Sequence, residues 1–236
     1  MLTPEDKIRY SRQLSLQEIG EAGQQKLKDA NVLVIGCGGL GSPALTYLAA
    51  AGVGFITIVD DDVVELNNLH RQTLYSTQDI GKKKVVLAAE RLQDNNPNVL
   101  IETVDKRLTE KNAPVLFEGK TAILDCTDNY KTRRLIGEQS AALGIPLVFA
   151  SVLNYEAQIT VFNYAGGPAY VDLFPELPTD GMYKEEDIGL MGVLPGIAGA
   201  IQANELLKIV TGYGEVLSGK LLIFSILDNR FDMIVI

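Results

Sequence analysis

Histidine and cysteine are nearly missing from this chain. One histidine, His70, and two cysteines, Cys37 and Cys126, stand among 236 residues. Two thiols cannot build a disulfide framework, so the reducing cytosol is the expected compartment. So few soft ligands also argue against a Cys/His metal centre. A basic excess is missing too. The net charge of −9 repels phosphate backbones and argues against a general nucleic-acid binder, while leaving room for a local basic pocket. No apolar run is expected to approach the ~18 residues of a membrane span. The opening MLTPEDKIRYSRQ is too polar for a secretory signal. Neither nucleic acid nor membrane is therefore an expected partner.

What is present is ample material for a core, with 47% hydrophobic residues. The runs NVLVIG, GFITIVD, VLIETVD, TAILDC and IPLVFAS read as short strands. Helical segments GLGSPALTYLAAAG, GKKKVVLAAERLQDNNP and NYKTRRLIGEQSAALG fall between them, and GEAGQQKLKDA reads as a helix before the first. Alternating strands and helices with short connections predict an α/β fold with a doubly wound, mostly parallel, Rossmann-like sheet. The pattern changes after Ser151. AQITVFNY alternates as an antiparallel strand does, and Ala165 to Gly192 reads as a long loop. VLPGIAGAIQANELLKIVTG is an apolar helix, and KLLIFSILDNRFDMIVI is a closing antiparallel hairpin turning at Asp228-Asn229. No repeat or linker appears, and one domain over 1–236 is the economical expectation.

The stretch VLVIGCGGLGS holds Gly36, Gly38 and Gly41 at G-x-G-x-x-G spacing between a strand and a helix. Such a turn lets backbone approach a phosphate at a helix N-terminus. Asp60, about twenty residues on at a strand end, suits a ribose. It suits NAD and ATP equally. ELNNLHRQTLY follows with Asn67, Asn68, Arg71 and Gln72, polar groups that a dehydrogenase does not need there. Arg71 is placed to clamp a triphosphate. Lys82, Lys83 and Lys84 open a helix, where they oppose its dipole unless a polyphosphate is bound. Lys84 is the preferred phosphate ligand. Asp128, just beyond a strand end, is the candidate Mg²⁺ ligand, with a helix-capping role as its alternative. Asp125 reads as structural, Asp61 and Asp62 as a solvated loop, and His70 as structural. The set fits ATP with Mg²⁺ and contains no evident shuttle for hydride chemistry.

RYSRQ, GCGGLGS, DDDVVELNNLHRQTLY, GKKKV and LDCTDN occur in the order and spacing of the ThiF/MoeB/HesA family, which the chain resembles from about Tyr10 to its last strands. These are bacterial relatives of ubiquitin-activating enzymes. The resemblance implies ATP-dependent adenylylation of the C-terminal Gly-Gly of a ubiquitin-like sulfur-carrier protein. The carrier would serve thiamine, molybdopterin or another sulfur route, or a small peptide would take its place. It implies that Gly39 and Asp60 hold the nucleotide, and that Asn68, Arg71 and Lys84 face the phosphates. Asp128 would bind Mg²⁺ with Asn129 beside it. Arg12 would reach the ATP of a second subunit, which implies a homodimer. A carboxylate is already a nucleophile at neutral pH, so no general base is needed, and alignment and charge neutralisation carry the reaction.

Two departures from the family pattern stand out. Ala169 and Asp172 occupy the place of a zinc-binding C-x-x-C pair, and the chain stops at Ile236 before a second pair, so zinc is expected to be absent. Around KEEDIGLMG, near Glu185, no thiol takes the place of the cysteine that some members use covalently. Cys37 and Cys126 are expected to be buried rather than nucleophilic. Two other readings compete: an NAD-dependent oxidoreductase, from the glycine turn and Asp60, and a non-catalytic relative that only docks a carrier.

Overall fold

Thr3 starts the first helix with a reciprocal cap. Its Oγ1 accepts from Asp6 N–H at 3.1 Å, and its own N–H donates to Asp6 Oδ2 at 2.8 Å. That helix, α1 (Pro4–Arg9), leads through α2 (Ser11–Leu14) to α3 (Gly20–Asp29). The structure, a computed structural model, describes residues 1–176 and 189–236. In chain order there follow β1 (Asn31–Ile35), α4 (Gly41–Ala51), β2 (Phe55–Val59), α5 (Lys84–Asn95), β3 (Leu100–Val104), α6 (Ala113–Phe117) and β4 (Ala122–Asp125). Then come α7 (Tyr130–Leu143), β5 (Leu147–Leu153), β6 (Glu156–Phe162), α8 (Tyr170–Leu173), α9 (Val193–Thr211), β7 (Lys220–Ser225) and β8 (Arg230–Val235).

The strands form one eight-stranded sheet in the order β3-β2-β1-β4-β5-β6-β7-β8. The first five are parallel, and β6, β7 and β8 add antiparallel. The expected α/β architecture, with a parallel core and antiparallel C-terminal strands, is the one observed. β1 is apolar from Val32 to Ile35 because both its faces are covered. Val32 and Val34 enter the core under α4, α5 and α9, while Leu33 and Ile35 enter the core that includes Phe117 of α6, Ile136 of α7 and Tyr170 of α8. This alternation is the strand's period of two at work. The chain leaves β1 for β2 on one side and later returns to β4 on the other. The crevice at the carboxyl ends of β1 and β4 is therefore the switch point where α/β sheets bind ligands.

Two sequence expectations change here, and a third falls outside the described residues. First, α9 has 19 residues with a mean hydropathy of 1.2, so an apolar segment does reach membrane-spanning length by composition. It packs against α4, β5 and β6 as a core helix. Its buried Glu205 is satisfied by Lys208 Nζ at 2.6 Å and Leu217 N–H at 2.8 Å. Second, the expected loop from Ala165 contains α8, whose Tyr170 packs edge-on against Phe149 and Phe162 and at a tilt against Phe174. Asp172 caps that helix by accepting the Ala169 N–H at 2.8 Å. Third, the expectation about a missing thiol near Glu185 concerns residues outside those described.

Candidate active site

Two glycines fix the turn after β1. Gly36 has φ +93°, and a Cβ there would lie 2.6 Å from the Cys126 carbonyl oxygen at the end of β4. A Cβ on Gly41 would lie 2.2 Å from the Gly36 carbonyl oxygen. Main chain thus meets main chain, and α4 starts directly at the switch point. Gly38 lies beside the Gln72 amide and Gly39 beside Pro195 and Arg71. Two buried polar atoms at this turn have no partner: Gln72 Oε1, and Ser42 Oγ in the first turn of α4. Unpaired buried groups of this kind mark a place where a polar ligand completes the bonding.

Asp60, at the end of β2, braces the turn. Its Oδ2 accepts the Cys37 N–H at 2.8 Å and its Oδ1 accepts the Asp62 N–H at 2.9 Å. Tyr75, to which the sequence reading gave no role, is buried with its hydroxyl donating to Cys37 O at 2.8 Å and lying 3.4 Å from Lys84 O. One phenol thereby links the glycine turn to the start of α5. Burial pushes the Tyr75 phenol and the Cys37 thiol up, and does the same to Cys126. Both thiols are buried, as expected, and are poor nucleophiles.

The three lysines before and in α5 each meet a carboxylate: Lys82 with Asp79, Lys83 with Asp105, and Lys84 with Asp62 at 2.9 Å. These acids offset the unfavourable dipole term that the sequence reading left to a polyphosphate. Asp62 is exposed as expected, yet it is more than a solvated loop residue. Lys84, Asp62, Val63, Glu65 and Asn68 line a cleft of 160 Å³. The buried Asn68 accepts the Glu65 N–H at 3.2 Å and donates to Asn67 Oδ1 at 2.8 Å. Arg71 lies outside the cleft lining. It donates to Asn67 O at 2.9 Å and to His70 Nε2 at 2.8 Å. A guanidinium has no acceptor, so this His70 nitrogen is the unprotonated one.

Asp128 is exposed in the loop after β4 and also lies outside the cleft lining. The helix cap considered for it belongs to Asn129, whose Oδ1 accepts the Thr132 N–H at 2.9 Å. Asn129, expected beside the metal, therefore has a structural task as well. The loop is fixed from below. The fully buried Asp125 accepts from Thr127 N at 3.0 Å and Thr127 Oγ1 at 2.6 Å. Burial pushes its carboxyl up, against the pull of Arg133 and the Thr127 bonds. Arg133, absent from the sequence-derived set, donates to Thr127 O at 2.7 Å and Ser151 Oγ at 2.9 Å. The signal for it was present: Arg133 shares the buried stripe of α7 with Ile136, Gly137 and Ser140. An arginine on such a stripe serves the fold or the site.

Arg12 is exposed on α2, and the structure does not bring it to the turn. Its neighbour Gln13 donates to Ala51 O at 3.1 Å, at the far end of α4. Eleven residues separate that end from the turn, roughly 15 Å of helix. Within one subunit Arg12 is thus remote from the glycines.

The profile of the ThiF family matches residues 10–236. The chain belongs to the ThiF family. A sulfur carrier protein adenylyltransferase from Thermus thermophilus is 42% identical over 235 residues, covering 97% of this chain and 87% of that relative. An adenylyltransferase and sulfurtransferase MOCS3 from Xenopus laevis is 45% identical over 98% of this chain, which spans 51% of that longer protein. Among solved structures, PaaA superposes with a TM-score of 0.85 at 27% identity, covering all of this chain and 75% of its own. The overall fold is thus shared with a protein of known structure.

Proposed function

We propose that this ThiF-family protein adenylylates the C-terminal Gly-Gly of a ubiquitin-like sulfur-carrier protein. The reading is carried by one observation: a main-chain anion cradle with unpaired buried polar atoms, joined through Tyr75 to a cleft holding the buried Lys84. The similarity to a sulfur carrier protein adenylyltransferase over 97% of the chain supports it. The glycine turn and Asp60 suit NAD as well as ATP, and the buried Lys84 in the adjoining cleft favours the nucleotide with the longer phosphate chain.

The carrier's terminal carboxylate oxygen bonds to the α-phosphorus of ATP. The bond from that phosphorus to the oxygen bridging to the β-phosphorus breaks, and pyrophosphate leaves with the electron pair. Gly36, Gly38, Gly39 and Gly41 offer the close backbone approach, and Asp60 meets the ribose. Asn67, Asn68, Arg71 and Lys84 orient the phosphates and offset their charge. Asp128 would hold Mg²⁺, with Asn129 beside it. When bound, the ion neutralises charge on the phosphate oxygens. Arg12, remote from its own turn, serves the site of a partner copy, so the working form is a homodimer. Zinc has no part in this reading, since Ala169 and Asp172 stand where a C-x-x-C pair would fall.

The test is pyrophosphate release and ATP–pyrophosphate exchange with purified protein, Mg-ATP and a carrier ending in Gly-Gly. Arg71→Ala should lower exchange about a thousandfold, as loss of a transition-state arginine does. A protein that binds ATP but gives no exchange with any Gly-Gly carrier returns the chain to a docking role.

A further inference from the structure

The Lys84–Asp62 pair is built the wrong way round for a surface salt bridge. The Lys84 side chain is 5% exposed while that of Asp62 is 62% exposed. An ammonium taken out of water needs an anion close by. Asp62 is the one carboxylate within ion-pair distance of Lys84 among the described residues. Main chain reinforces the pair, because Lys84 N–H donates to Asp62 O at 3.1 Å. Asp62 N–H in turn donates to Asp60 Oδ1 at 2.9 Å. One residue therefore spans the acid assigned to the ribose and the lysine assigned to the phosphates. Glu65 lines the same cleft, with its side chain turned to the Asn68 N–H, so Asp62 is the carboxylate that holds the ammonium there. A polyphosphate entering must draw Lys84 away from Asp62 and approach a like charge.

We propose that Asp62 is a positioning residue: it holds Lys84 in the cleft while the site is empty and competes with bound polyphosphate for it, which sets how fast pyrophosphate leaves. The role rests on the adenylylation reading above, in which pyrophosphate is a product. As pyrophosphate departs, Asp62 recaptures the ammonium, so Lys84 is never left buried without a counter-charge.

Calorimetric titration of the full chain with magnesium pyrophosphate and, separately, adenosine tests this. Asp62→Asn should bind pyrophosphate about five- to tenfold more tightly, with dissociation slowed to match and adenosine binding unchanged, as removal of one competing charge predicts. Asp62→Ser should act in the same direction, and Asp62→Glu should return the affinity to the wild-type range. In a Lys84→Met background the effect of Asp62→Asn should shrink to within about twofold, because the coupling runs through Lys84. The empty Asp62→Asn protein should melt below wild type and regain the difference on adding pyrophosphate. Equal or weaker pyrophosphate binding by Asp62→Asn overturns the role, and so does full tightening without Lys84. A wild-type protein that binds neither ATP nor pyrophosphate overturns the adenylylation reading with it.

Discussion

The main-chain N–H of Cys37 and the carboxylate of Asp60 are joined by a 2.8 Å hydrogen bond, which fastens the turn after β1 to the end of β2. The other carboxylate oxygen holds the Asp62 N–H. Asp60 thus braces the cradle before any ribose reaches it. Asp60→Ala should lower stability by about 1.5–3 kcal/mol, the range for hydrogen bonds to a charged group, and raise the KM for ATP. Asp60→Asn, which keeps one acceptor oxygen, should lose less of both. An unchanged melting temperature in Asp60→Ala would show that the brace is dispensable.

Gly41 and Gly38 separate folding from binding. A Cβ on Gly41 meets backbone at 2.2 Å, so Gly41→Ala should cost more than about 4 kcal/mol or prevent folding. A Cβ on Gly38 meets only the Gln72 side-chain amide, its nitrogen at 3.3 Å. Gly38→Ala should fold with a loss of about 1 kcal/mol or less and still bind ATP poorly, because the methyl occupies the anion's approach. Denaturant melts and ATP titration of the two variants check the contrast.

Acid should loosen the loop that precedes α5. Asp79 accepts from Ser76 N and Oγ and pairs with Arg91. The Ser76 hydroxyl above all, with the Arg91 guanidinium, holds its carboxyl well below the usual carboxylate range. A depressed native value means stability that is present above the unfolded carboxylate's pKa, near about 4, and is lost as pH falls below it. Asp79→Asn should therefore melt lower than wild type at pH 7, and the gap should narrow as pH drops below about 4. A gap that is constant with pH would exclude a charge-linked contribution.

Two inactive variants should rescue each other. If Arg12 serves a partner's site, an Arg12→Ala subunit paired with an Arg71→Ala subunit holds one intact site and one doubly damaged site. An equal mixture, after subunit exchange, should recover about a quarter of wild-type activity. No recovery would place Arg12 outside any shared site.

Much of this architecture was open to reading because parallel strands between helices must be apolar on both faces. NVLVIG and TAILDC announce themselves that way, and β1 and β4 fall there. Gly36 and Gly41 were equally legible, since backbone contact leaves no other residue type. Contacts between distant positions were not. Lys84 and Asp62 lie 22 residues apart, and no local pattern pairs them. Asp128 and Asn129 are adjacent and both able to cap a helix, and only the point where α7 begins decides between them. Arg133 has no motif to single it out, and its burial comes from the packing of α7. The expectation of no membrane-length apolar run overlooked α9 because Gln202, Asn204, Glu205 and Lys208 interrupt its apolar residues, while its mean hydropathy still reaches 1.2.

The contact of Gly41 with the Gly36 carbonyl has one more consequence. A cradle made of peptide groups has no χ angles, so receiving an anion freezes no rotamers there. Arg71 and Lys84 are long, many-jointed side chains and must surrender conformational freedom, and existing partners, to grip the same ligand. Affinity at the turn is therefore ready-made, while the phosphate-facing side chains are where binding strength remains adjustable by mutation.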